Sequence, residues 1–330
     1  MQNRRDFLTS TGAVALASGL TAGLVLPSAA VAAPRRAPGR VALVTDDRMT
    51  KGDRPVQEMV EKMLGRAMQE FTGKKTPADA WSSLFSAKDK VGIKINCLGK
   101  PCMSTTPEMV KAIIASLKAA GLPEEQLLVF DLFPSHMTMS RYRLQPDAAK
   151  GVRYLANRAY GFADETTTHP SGRVRLAKAL LEVDKVISVP VIKDHALSGV
   201  TCALKNMAFG CVNNPQAHHR DHCDPGIANI YNLPAIKDRT ALIICDAAFM
   251  QYDGGPQCKP AARVAMNSLY VTTDPVALDT LAWDEIDSRR RAKRLPLLAK
   301  SRPPKHIATA AGLGLGTDDR AKIKVVKAKV

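Results

Sequence analysis

The sequence predicts an α/β fold with a largely parallel sheet, helices on both faces, and an irregular insertion or small second lobe. Apolar, β-branched runs of strand length recur along the chain, and helical patterns separate them. The runs are near-continuous, as in strands that are buried on both faces. With 330 residues, 45% of them hydrophobic, the chain can bury a large core. Its 21 glycines and 21 prolines show no period, which excludes collagen-like and low-complexity proteins.

Strands and helices alternate in a regular order. Thr106 before Pro107 is typical of a helix start, with threonine as the cap and proline in the first turn. The pairs Asp224-Pro225 and Asp274-Pro275 repeat this device, and the polar segment of about 133–175 is the predicted insertion or second lobe. The strands are predicted at residues 41–45, 91–96, 127–132, 186–192, 242–245, 269–272 and 323–326. Amphipathic spacing or a cap predicts helices at residues 56–71, 106–121, 227–236 and 276–286.

Residues 1–32 resemble a twin-arginine signal peptide. Arg4 and Arg5 precede a weakly hydrophobic stretch, and Ala30 and Ala32 form an A-x-A cleavage site. The sequence therefore predicts handling by the twin-arginine translocase, cleavage near Ala32 and a periplasmic location. Residues 33–330 are then a single α/β domain. An uncleaved N-terminal anchor is the alternative.

The chain is basic, with 47 Lys and Arg against 31 Asp and Glu and a formal net charge of +16. The excess is concentrated at residues 289–294 and in the lysine-rich C-terminus. No nucleic-acid motif accompanies it, so we expect no nucleic-acid partner. A solvated basic face, or contact of the C-terminal region with an anionic membrane surface, accounts for the charge. The mean hydropathy of −0.12 excludes a multi-span membrane protein.

The seven cysteines leave at least one thiol without a disulfide partner, because their number is odd. Their spacing matches neither a ferredoxin run nor a zinc ribbon, so a self-contained iron–sulfur motif is absent. Which cysteines pair is left open. Cys245, inside an apolar run, is predicted to be a core residue.

A transition-metal site is predicted where polar residues follow the strands, because parallel strands end at one edge of the sheet. Imidazole and thiolate are good ligands for such ions. The alternative is that these histidines bond the backbone or lie in a solvated loop. Which metal would bind is unknown from the sequence. The predicted ligands are His195, His219, Cys223 and Cys97.

Two lysines in apolar surroundings, Lys193 and Lys205, are the predicted catalytic residues. A lysine near a helix N-terminus suits a phosphate or carboxylate, and a desolvated lysine can act as a base or form a Schiff base. A buried ion pair is the alternative. Nucleotide-binding, serine-hydrolase and zincin motifs are absent from the sequence. The predicted ligand-binding residues are Asn96, Asp194, Asn206, Asp246 and Asp274.

Residues 189–206, with Lys193-Asp194-His195 and Lys205-Asn206, resemble the core signature of the domain of unknown function 362 family. Residues 104–108 and 273–279 agree with it, and the signal peptide is similar to that of the twin-arginine-exported branch. The activity of that family is undefined, and the cysteine-rich ferredoxin module of many members has no counterpart here. Residues 91–132 are also similar to the N-terminal unit of nickel-pincer lactate racemases, in which His and Lys residues hold the cofactor.

These features predict an exported protein that binds a metal or a small anionic ligand. It is either a cofactor-dependent redox or proton-transfer enzyme or a non-catalytic binding protein that serves an exported system.

Overall fold

A computed structural model describes residues 38–330, so the predicted signal peptide lies outside the described residues. The strands are β1 (Arg40–Thr45), β2 (Thr50–Lys51), β3 (Arg54–Pro55), β4 (Val91–Lys94), β5 (Leu127–Asp131), β6 (Arg153–Ala156), β7 (Thr167–His169), β8 (Gly172–Val174), β9 (Lys185–Ser188), β10 (Val191–His195), β11 (Gly199–Thr201), β12 (Thr240–Gln251), β13 (Arg263–Thr272) and β14 (Lys324–Lys329). The α-helices are α1 (Gln57–Thr72), α2 (Pro77–Ser82), α3 (Pro107–Ala119), α4 (Pro134–Met139), α5 (Asn157–Tyr160), α6 (Lys178–Leu181), α7 (Ala203–Gly210), α8 (Gly226–Tyr231), α9 (Pro234–Lys237), α10 (Pro275–Ala292), α11 (Leu298–Ser301) and α12 (Lys305–Gly312).

The predicted α/β fold with a largely parallel sheet is confirmed. The main sheet has the order β14-β1-β13-β12-β9-β4-β5-β6, and β10 with β11 joins it beside β12. Neighbouring strands from β12 through β6 run parallel, as do β1 with β14 and β10 with β12. The long strand β13 is antiparallel to both β1 and β12.

Helices cover both faces of this sheet, because alternate strand residues enter different cores. In β5, Val129 belongs to the core that contains the buried side chains of α1 and α3, whereas Phe130 belongs to the core beneath α7 and α8. The segment 133–175 contributes β6, which pairs parallel with β5 at the edge of the sheet. Its hairpin β7-β8 forms a separate two-stranded sheet.

The run predicted as one strand at residues 186–192 is two strands. β9 ends at Ser188, and β10 resumes at Val191 after Pro190, which has no N–H to donate to a sheet ladder. β9 pairs with β4 on one side and β12 on the other, whereas β10 pairs with a later part of β12 and folds back through β11. After this break, residues 193–195 lie on β10 at the end of the sheet, where Lys193 pairs with Gln251 of β12 and with Thr201 of β11.

Two of the three predicted helix caps are confirmed. The hydroxyl of Thr106 accepts from the N–H of Met109, and the carboxylate of Asp274 accepts from two N–H groups at the start of α10. The third prediction was wrong, because the residue at the cap position of α8 is Pro225 and the Asp224 side chain makes no cap hydrogen bond. One Asp224 carboxylate oxygen is buried without a partner.

One disulfide joins Cys102 to Cys258 and links the loop after β4 to the loop between β12 and β13. The other cysteines are free and buried, including Cys245, which confirms its prediction as a core residue. Within residues 38–330, no helix combines the length and the apolar composition that crossing a membrane requires.

Candidate functional site

A cavity of about 230 Å³ lies at the carboxyl ends of β4, β5 and β10. This edge of a parallel sheet is where α/β folds bind ligands. Lys94 and Asp131 reach the cavity from the ends of β4 and β5, His195 from the end of β10, and Lys205 from α7. The fold therefore collects charged and titratable side chains from four separate parts of the chain.

A buried ion pair between Lys94 and Asp131 lies on the wall of this cavity. Nζ of Lys94 is 2.8 Å from Oδ1 of Asp131. The same ammonium donates to Oδ1 of Asn206 at 2.9 Å and to the carbonyl of Ile95 at 2.6 Å. Oδ2 of Asp131 accepts from the backbone N–H of Cys97 at 2.7 Å. All three ammonium protons of Lys94 thus have acceptors, and its charge is balanced within the protein.

Two asparagines connect this ion pair to Lys193. Nδ2 of Asn96 donates to Oδ1 of Asn206 at 3.3 Å, and Nζ of Lys193 donates to Oδ1 of Asn96 at 2.7 Å. The Lys193 side chain is fully buried, and burial lowers its pKa to about 7. Lys193 itself does not line the cavity, but its amine is one hydrogen bond away from it.

Lys205 is a second buried amine, and it lines the cavity directly. Its Nζ lies 3.5 Å from Sγ of Cys223 and 4.2 Å from the centre of the Phe209 ring. Among the described residues, no carboxylate hydrogen-bonds to this ammonium. Burial lowers the pKa of Lys205 to about 8. A buried cation without a counter-charge favours binding of an anion.

His195 and His219 line the same cavity with opposite tautomers. Nδ1 of His195 accepts from the backbone N–H groups of Leu197 and Ser198 at 3.1 and 3.2 Å, so its proton is on Nε2. Nδ1 of His219 donates to the carbonyl of Pro215 at 2.9 Å, so its Nε2 is unprotonated. Burial lowers the pKa of His195 to about 2 and also lowers that of His219, which keeps both rings neutral. The two rings thus offer one donor and one acceptor.

The predicted metal site of His195, His219, Cys223 and Cys97 is not assembled. In the part of the chain that the structure describes, no three His, Cys, Asp or Glu side chains are placed to hold one ion. The ring centres of His195 and His219 are 6.0 Å apart, but Cys223 contacts Lys205 and Cys97 does not join them. Burial raises the pKa of both thiols.

Three of the predicted ligand-binding residues belong to the scaffold instead of the cavity. Asp194 pairs with Arg302 at 2.7 Å, because successive side chains of a strand point to opposite faces and this one points away. Asp246 accepts from the N–H and the hydroxyl of Thr106, each at 2.7 Å. Asp274 accepts from four backbone N–H groups. The predicted residues Asn96 and Asn206 do line the cavity, together with three predicted catalytic or metal-ligand residues, Lys205, His195 and His219.

Three further cavity residues, Lys94, Asp131 and His136, are not singled out by the sequence patterns above. A usable signal existed for the ion pair, since a lysine in the apolar run 91–96 and an aspartate in the apolar run 127–132 require partners once buried. His136 has no such signal.

A second cavity, of about 350 Å³, lies beside the disulfide and the start of α3. It is larger, but two of its three arginines are already paired, Arg141 with Glu108 at 3.0 Å and Arg263 with Asp53 at 2.9 Å, and the third, Arg54, is exposed to solvent. The smaller cavity is therefore the better candidate, because its wall contains a buried lysine, Lys205, to which no carboxylate of the described residues hydrogen-bonds.

The family model described as domain of unknown function (DUF362) matches residues 91–284, and the chain belongs to this family. The matched region contains every residue that lines the 230 Å³ cavity. Among solved structures, the lactate racemase apoprotein from Thermoanaerobacterium thermosaccharolyticum is similar, with 14% sequence identity and a TM-score of 0.40. The alignment covers 72% of this chain and 55% of that protein. A comparison with curated proteins finds no match.

Proposed function

We propose that this protein binds a small anionic molecule in the 230 Å³ cavity, with Lys205 facing its negative charge. The observation that carries the proposal is that, within residues 38–330, the ammonium of Lys205 is buried in the cavity wall beside a thiol and an aromatic ring, with no carboxylate hydrogen-bonded to it. Burying an ammonium without a counter-charge is strongly unfavourable, so a bound anion would stabilise the site by providing the missing negative charge.

The remaining walls suit a short organic acid. Asn96 and Asn206 give the cavity an amide floor, and Leu98, Leu132 and Phe133 give it an apolar side. A volume of about 230 Å³ is below the usual range for drug-sized ligands. A carboxylate at the lysine end and a few carbon atoms against the apolar side would fill the cavity.

The same residues support proton transfer to or from the bound acid. A neutral histidine that donates, a neutral histidine that accepts and an amine with a pKa of about 8 line one cavity. General acid–base catalysis requires groups that gain or lose a proton near the working pH. We therefore propose a proton-transfer enzyme, with His219 and the amine of Lys205 as proton acceptors and Nε2–H of His195 as a hydrogen-bond donor to the oxygen of the bound acid.

Calorimetric titration of the full chain with acetate, propionate, succinate and phosphate tests the binding step. Lys205→Met keeps the length of the side chain but removes its charge, and it should weaken binding about a hundredfold, since removing one partner of a buried charged contact costs about 3 kcal/mol. Lys300→Met, at an exposed position, makes the same change in net charge and should leave affinity unchanged. Equal affinities of the two variants would refute the proposed site.

Deuterium exchange tests the proton-transfer step. NMR in heavy water should show exchange of the hydrogens next to the carboxyl or carbonyl group of a bound acid, and His219→Ala should slow it. Tight binding with no exchange for any acid of the panel would identify the alternative, a non-catalytic binding protein.

Export through the twin-arginine route is proposed on separate grounds. Arg4 and Arg5 supply the paired arginines, and the Cys102–Cys258 disulfide supports an oxidising destination. Replacing both arginines with lysine should leave the precursor in the cytoplasm, as fractionation and precursor size would show. Normal export of that variant would place the chain outside the twin-arginine-exported branch.

A further inference from the structure

Lys205 is placed as a nucleophile as well as a cation. Its amine lines the cavity, is buried, and is held by neither a carboxylate nor an amide in residues 38–330. Amines that attack carbonyl carbons are commonly activated by desolvation in apolar surroundings. Here the ring of Phe209 and the thiol of Cys223 provide that environment.

The proton-transfer groups lie around the same amine. The Phe209 ring is shared, since Nζ of Lys205 is 4.2 Å from its centre and the His219 ring is 4.9 Å from it. The His195 ring follows at 6.0 Å from His219. A carbonyl group beside Lys205 would therefore lie near one imidazole that can donate a hydrogen bond to its oxygen and one that can accept a proton.

We propose that Lys205 forms an imine with a small 2-oxo acid, whose carboxylate occupies the anion site. This inference rests on the proposed function and names its substrate class. The ammonium of Lys205 first passes one proton to Nε2 of His219. The lone pair of Nζ then forms the N–C bond as the C=O π electrons move to oxygen, which accepts a hydrogen bond from Nε2 of His195 and takes the proton from His219. A second Nζ proton passes through His219 to the hydroxyl of the carbinolamine, which leaves as water while C=N forms. Two of the three ammonium protons thus leave in the water, and the protonated imine keeps the positive charge that faces the carboxylate.

The neighbouring lysines do not offer the same chemistry. Nζ of Lys94 has three acceptors, one of them the carboxylate of Asp131, so its lone pair is not available. Lys193 is hydrogen-bonded to Asn96 and does not line the cavity. The adduct is therefore expected on Lys205 and not on the other two buried lysines of this network.

Borohydride trapping tests the inference on the full chain. The protein is incubated with pyruvate or 2-oxobutyrate, reduced with sodium borohydride, and mapped by peptide mass spectrometry. The reduced adduct should appear on Lys205 at about tenfold the level of any other lysine, and only when oxo acid and reductant are both present. Because the mapping uses the wild-type chain, the location of the adduct does not depend on whether any variant folds.

Propionate provides the matched control, because it has the carbon skeleton and carboxylate of pyruvate but lacks the 2-oxo group. Propionate should compete with trapping but form no adduct, and Lys205→Arg should abolish trapping. If propionate binds but neither oxo acid leaves an adduct on Lys205, the imine is refuted while the anion site stands. If no acid binds and no adduct forms, the proposed function and the imine both fail. Equal labelling of exposed lysines would also refute the imine.

Discussion

Nζ of Lys94 lies 2.8 Å from Oδ1 of Asp131, and the two side chains are only 1% and 8% exposed. They come from neighbouring parallel strands, with Lys94 paired in register with Phe130, the residue before Asp131. The pair therefore ties the ends of β4 and β5 together where the cavity begins. Because Lys94 also donates to Asn206, the same contact fixes the position of α7 against the sheet.

Asp131→Asn should destabilise the protein by about 3–5 kcal/mol, because it leaves the buried ammonium of Lys94 without a counter-charge. Urea unfolding monitored by circular dichroism measures this loss. The control is Asp284→Asn, which breaks the ion pair with Arg320 on the surface, where both side chains are about half exposed. That variant should lose less than about 1 kcal/mol. Equal losses would mean that the buried pair contributes no more than an exposed one.

The class of fold follows from the sequence because its signals are local. Near-continuous apolar runs mark strands that are buried on both faces, and caps such as Thr106 and Asp274 mark where helices begin. The sequence pattern does not show that residues 186–192 form two strands, because both halves are apolar. Pro190 is the only local sign of the break between them, and the sequence does not show that β9 then pairs with β4 and β12 whereas β10 pairs with β12 and β11.

The candidate site is predictable only in part, because sequence order does not show which strand ends meet. Lys205, Asn206 and His195 lie within the family signature at residues 189–206 and do converge on the cavity. Asp194 is adjacent to His195 but points to the opposite face, and Cys223 ends beside a lysine instead of a metal ligand. The face to which a strand side chain points and the strand with which it pairs decide which residues reach the cavity. A residue pattern read along the sequence does not show how separate strands pair.

The disulfide is expected to stabilise both the fold and the cavity. It closes a loop with a sequence separation of 156 residues, so its loss should cost about 4 kcal/mol. Leu98 and Pro256 line the cavity close to the two cysteines in sequence, so the double variant Cys102→Ser/Cys258→Ser should also bind anions more weakly. Thermal unfolding with and without a reductant measures the effect. A wild-type melting temperature that does not respond to full reduction would contradict it.

Asp274→Ala should affect stability but not binding. The carboxylate accepts from four backbone N–H groups, two at the start of α10 and one each from Gly39 and Thr317. Removing a cap and leaving buried donors without acceptors should cost about 3 kcal/mol. Asp274→Asn keeps one carbonyl oxygen and should lose less. Unchanged stability together with lost anion binding would show that Asp274 is a ligand-binding residue, as the sequence predicts.

Lys205→Met should stabilise the free protein at neutral pH even as it removes anion binding. The pKa of Lys205 is about 8 in the folded chain against 10.5 when unperturbed, so between those pH values the unfolded chain holds a proton that the folded chain lacks. The free energy of unfolding should therefore rise with pH by about 1 kcal/mol per unit through this window, and the full penalty for charging Lys205 applies below pH 8. Lys193 adds a rise of the same sign from its pKa of about 7.

Urea unfolding at intervals from pH 7 to pH 10 measures both effects. In Lys205→Met the rise with pH should be smaller than in the wild-type chain, and its stability at pH 7 should exceed the wild-type value by about 2 kcal/mol. Lys300→Met, at an exposed lysine, should keep the wild-type slope. A Lys205→Met variant that is less stable than wild type at pH 7, with an unchanged slope, would show that the ammonium already has a stabilising partner in the free protein. In that case the cavity would have no unbalanced charge for an anion to satisfy.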